Sequence, residues 1–133
     1  MKSQGFGIEI EMTGLTRRSA ALIIAKHFDT GFRHERGVYD TYSVCDQDGR
    51  KWKIVRDASI TPQCGNRFDY DPDYKVEVVS PVCHYEDIET IQSIVRELRS
   101  NGHAKVNESC GIHIHVDASK HTARSLRNIA NIM

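Results

Sequence analysis

The 133-residue sequence has no surplus of either charge: Lys and Arg number 18, Asp and Glu 18, a formal net charge of +0. It lacks the basic excess of a nucleic-acid-binding surface and the acidic tail that seeks a charged partner. Its aromatics do not alternate with basic residues, as a single-strand binder requires. No apolar run approaches the length of a membrane span. The amino terminus does not read as a signal peptide, because Glu9 and Glu11 interrupt what would have to be its apolar region. Cys45, Cys64, Cys83 and Cys110 are widely spaced, with no C-x-x-C pair. Without a secretory signal they read as free thiols of a reducing cytoplasm, a disulfide or a zinc site being the minority alternative. No internal repeat and no low-complexity segment is present. These absences leave one domain, long enough to bury a core, expected in the cytoplasm without nucleic-acid or membrane partners.

What is present centres on Cys110-Gly-Ile-His-Ile-His-Val-Asp117. Ile112, Ile114 and Val116 alternate with Gly111, His113, His115 and Asp117. That is period two, a strand with one apolar face and one face of ligand-grade side chains. Its two imidazoles point the same way, with Cα atoms roughly 6.6–6.8 Å apart. Gly5-Phe-Gly-Ile-Glu-Ile-Glu-Met12 repeats the design: Phe6, Ile8, Ile10 and Met12 on one face, Gly7, Glu9 and Glu11 on the other. Lys75-Val-Glu-Val-Val-Ser-Pro81 sets Glu77 opposite Val76 and Val78. Three strands thus each offer acidic or imidazole groups on one face, and the expectation is that these faces converge on a divalent metal.

Along the chain, residues 5–12 are the first strand. Thr16 is the expected N-cap of a helix from Arg17 to about Phe28, with Ala20, Ala21, Ile23, Ile24 and Phe28 on its apolar side and Gly31 near its C-cap. Val38 to Cys45 and Lys51 to about Asp57 read as a hairpin about Asp46-Gln-Asp-Gly49. Residues 58–74 read as a long polar loop, which in a compact domain is functional or mobile. The strand 75–80 stops at Pro81. His84 to Ser100 is the clearest helix, with Ile88, Ile91, Val95 and Leu98 at helical spacing and Asn101-Gly102 ending it. Ala104 to Asn107 is a short extended piece, and Thr122 caps a last helix bearing Leu126, Ile129 and Ile132. The order β-α-β-β-β-α-β-α implies an α+β fold, a mostly antiparallel sheet with helices packed on one face. The other face would carry Glu9, Glu11, Glu77, His113 and His115. The last apolar pattern is still running at Met133, so residues 1–133 are expected to be the amino-terminal portion of a longer domain.

Each feature has an ordinary reading beside the chemical one. Alternating glutamates are a common solvated face of an antiparallel strand. Against this, the face of Glu9 and Glu11 begins with Gly5 and Gly7, and glycine in a strand often marks close approach by a ligand or another backbone. Two histidines on one face, flanked by Gly111 and Asp117, read as ligands more readily than a lone one. Three glutamates with one or two imidazoles suit Mg²⁺ or Mn²⁺ better than a structural zinc. Asp57 and Ser59 fit turn chemistry as well as a site. Ser80-Pro81 ends a strand, and His84, Glu86 and Asp87 serve a helix start. Cys110 lies beside the candidate ligands, but no cationic helix terminus activates it as a nucleophile.

Phe6-Gly-Ile-Glu-Ile-Glu11, Asp57-Ala-Ser59, Glu77-Val-Val-Ser-Pro81 and Asn107-Glu-Ser-Cys-Gly-Ile-His-Ile-His-Val-Asp117 follow in this order. The series resembles the amidoligase family of phage and bacterial genomes, relatives of glutamine synthetase and glutamate–cysteine ligase. The resemblance implies a glutamine-synthetase-like half of a catalytic domain whose concave sheet face holds ATP and Mg²⁺ or Mn²⁺. It implies amide formation through an acyl phosphate, from small-molecule or peptide carboxylates and amines. By matching position, Glu9, Glu11, Glu77 and His113 would be metal ligands, and Gly111, His113 and His115 would hold the nucleotide. Asp57, Ser59 and His115 would serve catalysis, Asp57 and Ser59 near the acceptor amine or the metal shell and His115 positioning nucleotide or substrate. Family members generally run longer, so a homo-oligomer or a carboxy-terminal half would complete the site. Lys51, Lys53, Arg56 and Arg67 are present, but no motif assigns them to phosphate. Two other functions share these residues: a metal-dependent hydrolase with a metal-bound water as nucleophile, and a non-catalytic module retaining the fold.

Overall fold

A computed structural model describes residues 4–116. The expected helix at Thr122, and Asp117, lie outside them. Among the described residues, β1 (Phe6–Met12), β2 (Phe32–Arg36), β3 (Thr41–Cys45), β4 (Lys51–Val55), β7 (Val76–Val79) and β8 (Ile112–Val116) form one sheet in the order β2-β3-β4-β7-β1-β8. Every pairing is antiparallel. Between β4 and β7 a small hairpin, β5 (Gln63–Cys64) and β6 (Arg67–Phe68), stands apart. Two helices, α1 (Arg17–Phe28) and α2 (Ile88–Gly102), pack on one face of the sheet. The α+β class with helices on a single face is therefore as the periodicity implies. No helix among the described residues is long and apolar enough to cross a membrane.

The core lies between that face and the helices. Ile8 and Met12 of β1, Val76 and Val78 of β7, and Trp52 and Ile54 of β4 meet Ala20, Ala21, Ile24 and Phe28 of α1 and Ile91, Ile94 and Leu98 of α2. The α2 stripe runs through Ile94, and Val95 sits at its exposed margin. Thr16 caps α1 by accepting from the Ser19 amide at 3.1 Å, which satisfies one of the donors a helix start leaves open.

Several boundaries differ from the sequence reading, each for a local reason. Asp29, at φ 56°, takes the left-handed position after α1, two residues before Gly31. Gly102 is inside α2, and His103 is the left-handed residue beyond it. A Cβ on Gly102 would lie 2.7 Å from Ile23 Cδ1 and 2.9 Å from Leu15 Cδ1, so the glycine lets α2 approach α1. Val38 and Tyr39 are not strand: residues 37–40 turn the β2–β3 hairpin, leaving these side chains 78% and 63% exposed. Strand β2, an edge, carries one apolar residue in Phe-Arg-His-Glu-Arg and so gives no alternation. The loop after β4 is pinned by Ile60, 2% exposed, and by buried Gln63.

Two buried charges tie the frame. Arg17 donates to Asp40 Oδ2 at 2.7 Å and to the carbonyls of Pro72 and Lys75 at 2.7 and 2.9 Å. Asp46, in the β3–β4 turn, accepts from the amides of Asp48 and Arg50, from Arg50 Nε at 2.9 Å and from Trp52 Nε1 at 3.1 Å. Burial works against its charge, but the Trp52 indole and Arg50 hold the carboxyl below its ordinary range. Asp46→Ala strands the indole N–H in the core and removes one of the two carboxylates that hold Arg50, Asp87 keeping the other. The expected loss is about 2–4 kcal/mol of unfolding free energy, to be read as a lower urea midpoint at unchanged slope.

Candidate metal centre

Pleating sends Glu9 and Glu11 of β1, Glu77 of β7, and His113 and His115 of β8 to the face opposite α1 and α2. Register then decides which of them meet. Glu11 stands opposite Glu77, Glu9 opposite His113, and Gly7 opposite His115. On the other edge of β7, Val55 stands opposite Glu77, and the chain beyond it turns Asp57 toward the same place.

Two triads of ligand atoms result. Oxygens of Glu9 and Glu77 and an imidazole nitrogen of His113 lie within 4.8 Å of one another, and so do oxygens of Glu11, Asp57 and Glu77. Glu77 belongs to both. His113 Nδ1 is 3.5 Å from Glu9 Oε1 and 3.9 Å from Glu11 Oε2, while His115 Nε2 is 3.2 Å from Glu9 Oε1. His115 thus touches Glu9 and lies outside both triads.

The carboxylates are fixed from behind. Glu11 is 4% exposed, which a merely solvated charged face would not be. The Gly111 N–H donates to Glu11 Oε1 at 3.1 Å, and the Glu11 N–H donates to the Gly111 carbonyl at 3.0 Å. Asp57 Oδ1 accepts from the Ser59 amide at 2.9 Å and the Ser59 hydroxyl at 2.7 Å. Those bonds hold the Asp57 carboxyl below its usual range against the cost of burial. Asp57 and Ser59 therefore make the turn that their chemistry suggests, and the turn delivers Asp57 to the second triad. Ser59 bonds Asp57 and stands in neither triad.

Asn107 and Ser109 fasten the loop that carries this turn. Asn107 Nδ2 donates to the Thr61 carbonyl at 2.9 Å and to Gln63 Oε1 at 2.7 Å, and the Thr61 amide donates to Ser109 Oγ at 2.8 Å. The sequence reading gave these residues no role. Their place in the series that runs into Gly111 was the available signal, and nothing local pairs them with Thr61. Ser80 is structural: its hydroxyl accepts from the Ile8 amide at 2.9 Å where β7 ends. The glycines divide. A Cβ on Gly5 would lie 3.0 Å from Val82, while one on Gly7 would meet nothing within 4 Å among the described residues. All four cysteines are free, and the Cys110 thiol donates to Asn107 Oδ1 at 3.7 Å.

Burial, with the charges of Glu9, Asp57 and Glu11, pushes the Glu77 carboxyl up to about 7, His113 pulling the other way. Carboxyls this close share a proton or require a cation. Their oxygen-rich set, with one imidazole and no thiolate, fits Mg²⁺ or Mn²⁺. In the metal-free chain Glu77 keeps its proton above the ordinary carboxyl value of about 4.3. The folded state then binds the extra proton between that value and about 7, so stability falls as pH rises through this window and the deficit persists above it. Glu77→Gln removes the deficit. Its melting temperature relative to the parent should rise from pH 5 to pH 8 without metal, while Mn²⁺ binding is lost; melting curves that stay parallel across pH would contradict the shared-proton account.

A family model described as "Putative amidoligase enzyme" matches residues 2–133. No curated protein and no solved structure matches the chain. The family match spans every strand that contributes to the two triads, and the chain belongs to this amidoligase family.

Proposed function

We propose that this protein is an ATP-dependent carboxylate–amine ligase working with Mg²⁺ or Mn²⁺. The observation that carries this reading is Glu77 standing in both triads. Two neighbouring ions sharing one carboxylate suit phosphoryl transfer, where neutralisation and alignment supply most of the rate. In this reading Glu9, Glu77 and His113 hold one ion, and Glu11, Asp57 and Glu77 hold the other. The ions would offset charge on the phosphates and on the substrate carboxylate.

The chain's own groups do the positioning. The Gly111 amide keeps Glu11 aimed at the face, Ser59 keeps Asp57 there, and His115 steadies Glu9 while facing nucleotide or substrate. A carboxylate oxygen attacks the terminal phosphorus of ATP and the bond to ADP breaks, giving an acyl phosphate. The amine nitrogen then attacks the acyl carbon, phosphate leaves with the bonding pair, and the amine gives up a proton as the amide forms. The two substrates would be small-molecule or peptide groups.

Phosphate release from ATP, screened over carboxylate–amine pairs with Mn²⁺, tests this. Glu9→Gln and His113→Ala should each weaken metal binding by at least the roughly 10–100-fold that loss of an outer-shell partner costs and remove the coupled phosphate release. Full turnover in Glu9→Gln would overturn the reading. Metal binding with no ATP binding by a folded protein would favour a metal-dependent hydrolase instead.

A further inference from the structure

The face of the sheet opposite α1 and α2 is divided by charge. Reading straight across the strands, Arg33 pairs with Ser43, Ser43 with Lys53, Lys53 with Val79, Val79 with Glu9 and Glu9 with His113. All six therefore share one transverse row and one face. The β7–β1–β8 end of the face holds the carboxylates and imidazoles. The β2–β3–β4 end holds Arg33, Lys51 and Lys53, with Glu35 among them. The dividing residue, Val79, is uncharged.

The cations near the site differ in what they already hold. Lys51 Nζ lies 3.0 Å from Glu35 Oε1, and this contact draws the Glu35 carboxyl below its usual range. Arg56 donates to the Val38 carbonyl, Lys75 to the Ala58 carbonyl and Lys105 to the Gly65 carbonyl. The Lys53 side chain has no hydrogen bond and no ion pair among the described residues, and the residue is exposed in the middle of the sheet. Two strand spacings separate its Cα from that of Glu9, roughly 9–10 Å. A four-carbon stem covers about one such spacing. Its ammonium can therefore stand over β7, at the rim of the triads.

We infer that Lys53 is the anion-holding side of this site, its ammonium taking outer phosphate oxygens of a metal–polyphosphate complex whose ions the triads hold. Arg33 lies further out in the same row, where it adds charge. The inference rests on the ligase reading and assigns the phosphate contact that reading left open. The electrostatic need is plain: carboxylates that capture the ions present negative charge to the phosphates, and a fixed cation on the far side offsets it.

Calorimetric titration of the full chain with Mn²⁺ alone, then with inorganic triphosphate at saturating Mn²⁺, tests this. Lys53→Met should leave Mn²⁺ affinity within about twofold and weaken triphosphate about tenfold or more, the worth of a charge-assisted hydrogen bond. Lys53→Arg should recover most of that loss, and Lys51→Met, whose ammonium is already paired, should change it little. If the parent binds triphosphate and Lys53→Met binds it equally well, the inference falls and the ligase reading stands. If the parent binds Mn²⁺ but no triphosphate, both fall. Loss of Mn²⁺ binding itself in Lys53→Met would make the lysine structural and overturn its anion role.

Discussion

The chemistry of this molecule depends on the register in which β7, β1 and β8 pair. Glu77 meets Glu11, and Glu9 meets His113, only because Val78 pairs with Ile10 and Ile10 with Ile112. A slip of one residue would turn every carboxylate of a strand into the core and every isoleucine out to solvent. The apolar underside, Ile8, Met12, Val76 and Val78 against the helices, therefore fixes the charged upper side. Burial of these side chains holds together groups that repel one another.

That repulsion is managed by short, local devices. A main-chain amide from Gly111 and a hydroxyl from Ser59 each hold one carboxylate by one oxygen. Imidazoles of His113 and His115 stand against Glu9. Among the described residues Glu77 has no amide or hydroxyl clamp, and burial with the neighbouring charges raises its proton affinity. The position both triads share is thus one where burial and like charges oppose ionisation, as expected if the energy of crowding is recovered when cations arrive.

Across the sheet the same face changes sign. The basic end would be unremarkable on a chain of mixed charge, were it not in register with Glu9 and His113 and were Lys53 not left without a partner among the described residues. A charge-divided platform matches a ligand that is itself divided, metal ions on one side and phosphate oxygens on the other.

Much of this was legible along the chain. Period two in residues 5–12 and 110–117 identified the two glutamates and two histidines, and it assigned their common face, because pleating follows from the backbone alone. Thr16 as a cap and the alternation of Trp52 and Ile54 were equally local. Other features depend on partners far away in sequence. Strand β2 has no apolar alternation to betray it, since as an edge it buries little. Strand period alone left a solvated and a buried Glu11 both open, and it is buried where β7 and the Gly111 backbone flank it. The joining of Asp57 to Glu11 and Glu77, the shared position of Glu77, and the row that sets Lys53 beside the triads are products of strand order and register. Side-chain type and period are properties of one strand, whereas a site of this kind is a property of four strands paired in a single alignment, which only the buried face of the sheet selects.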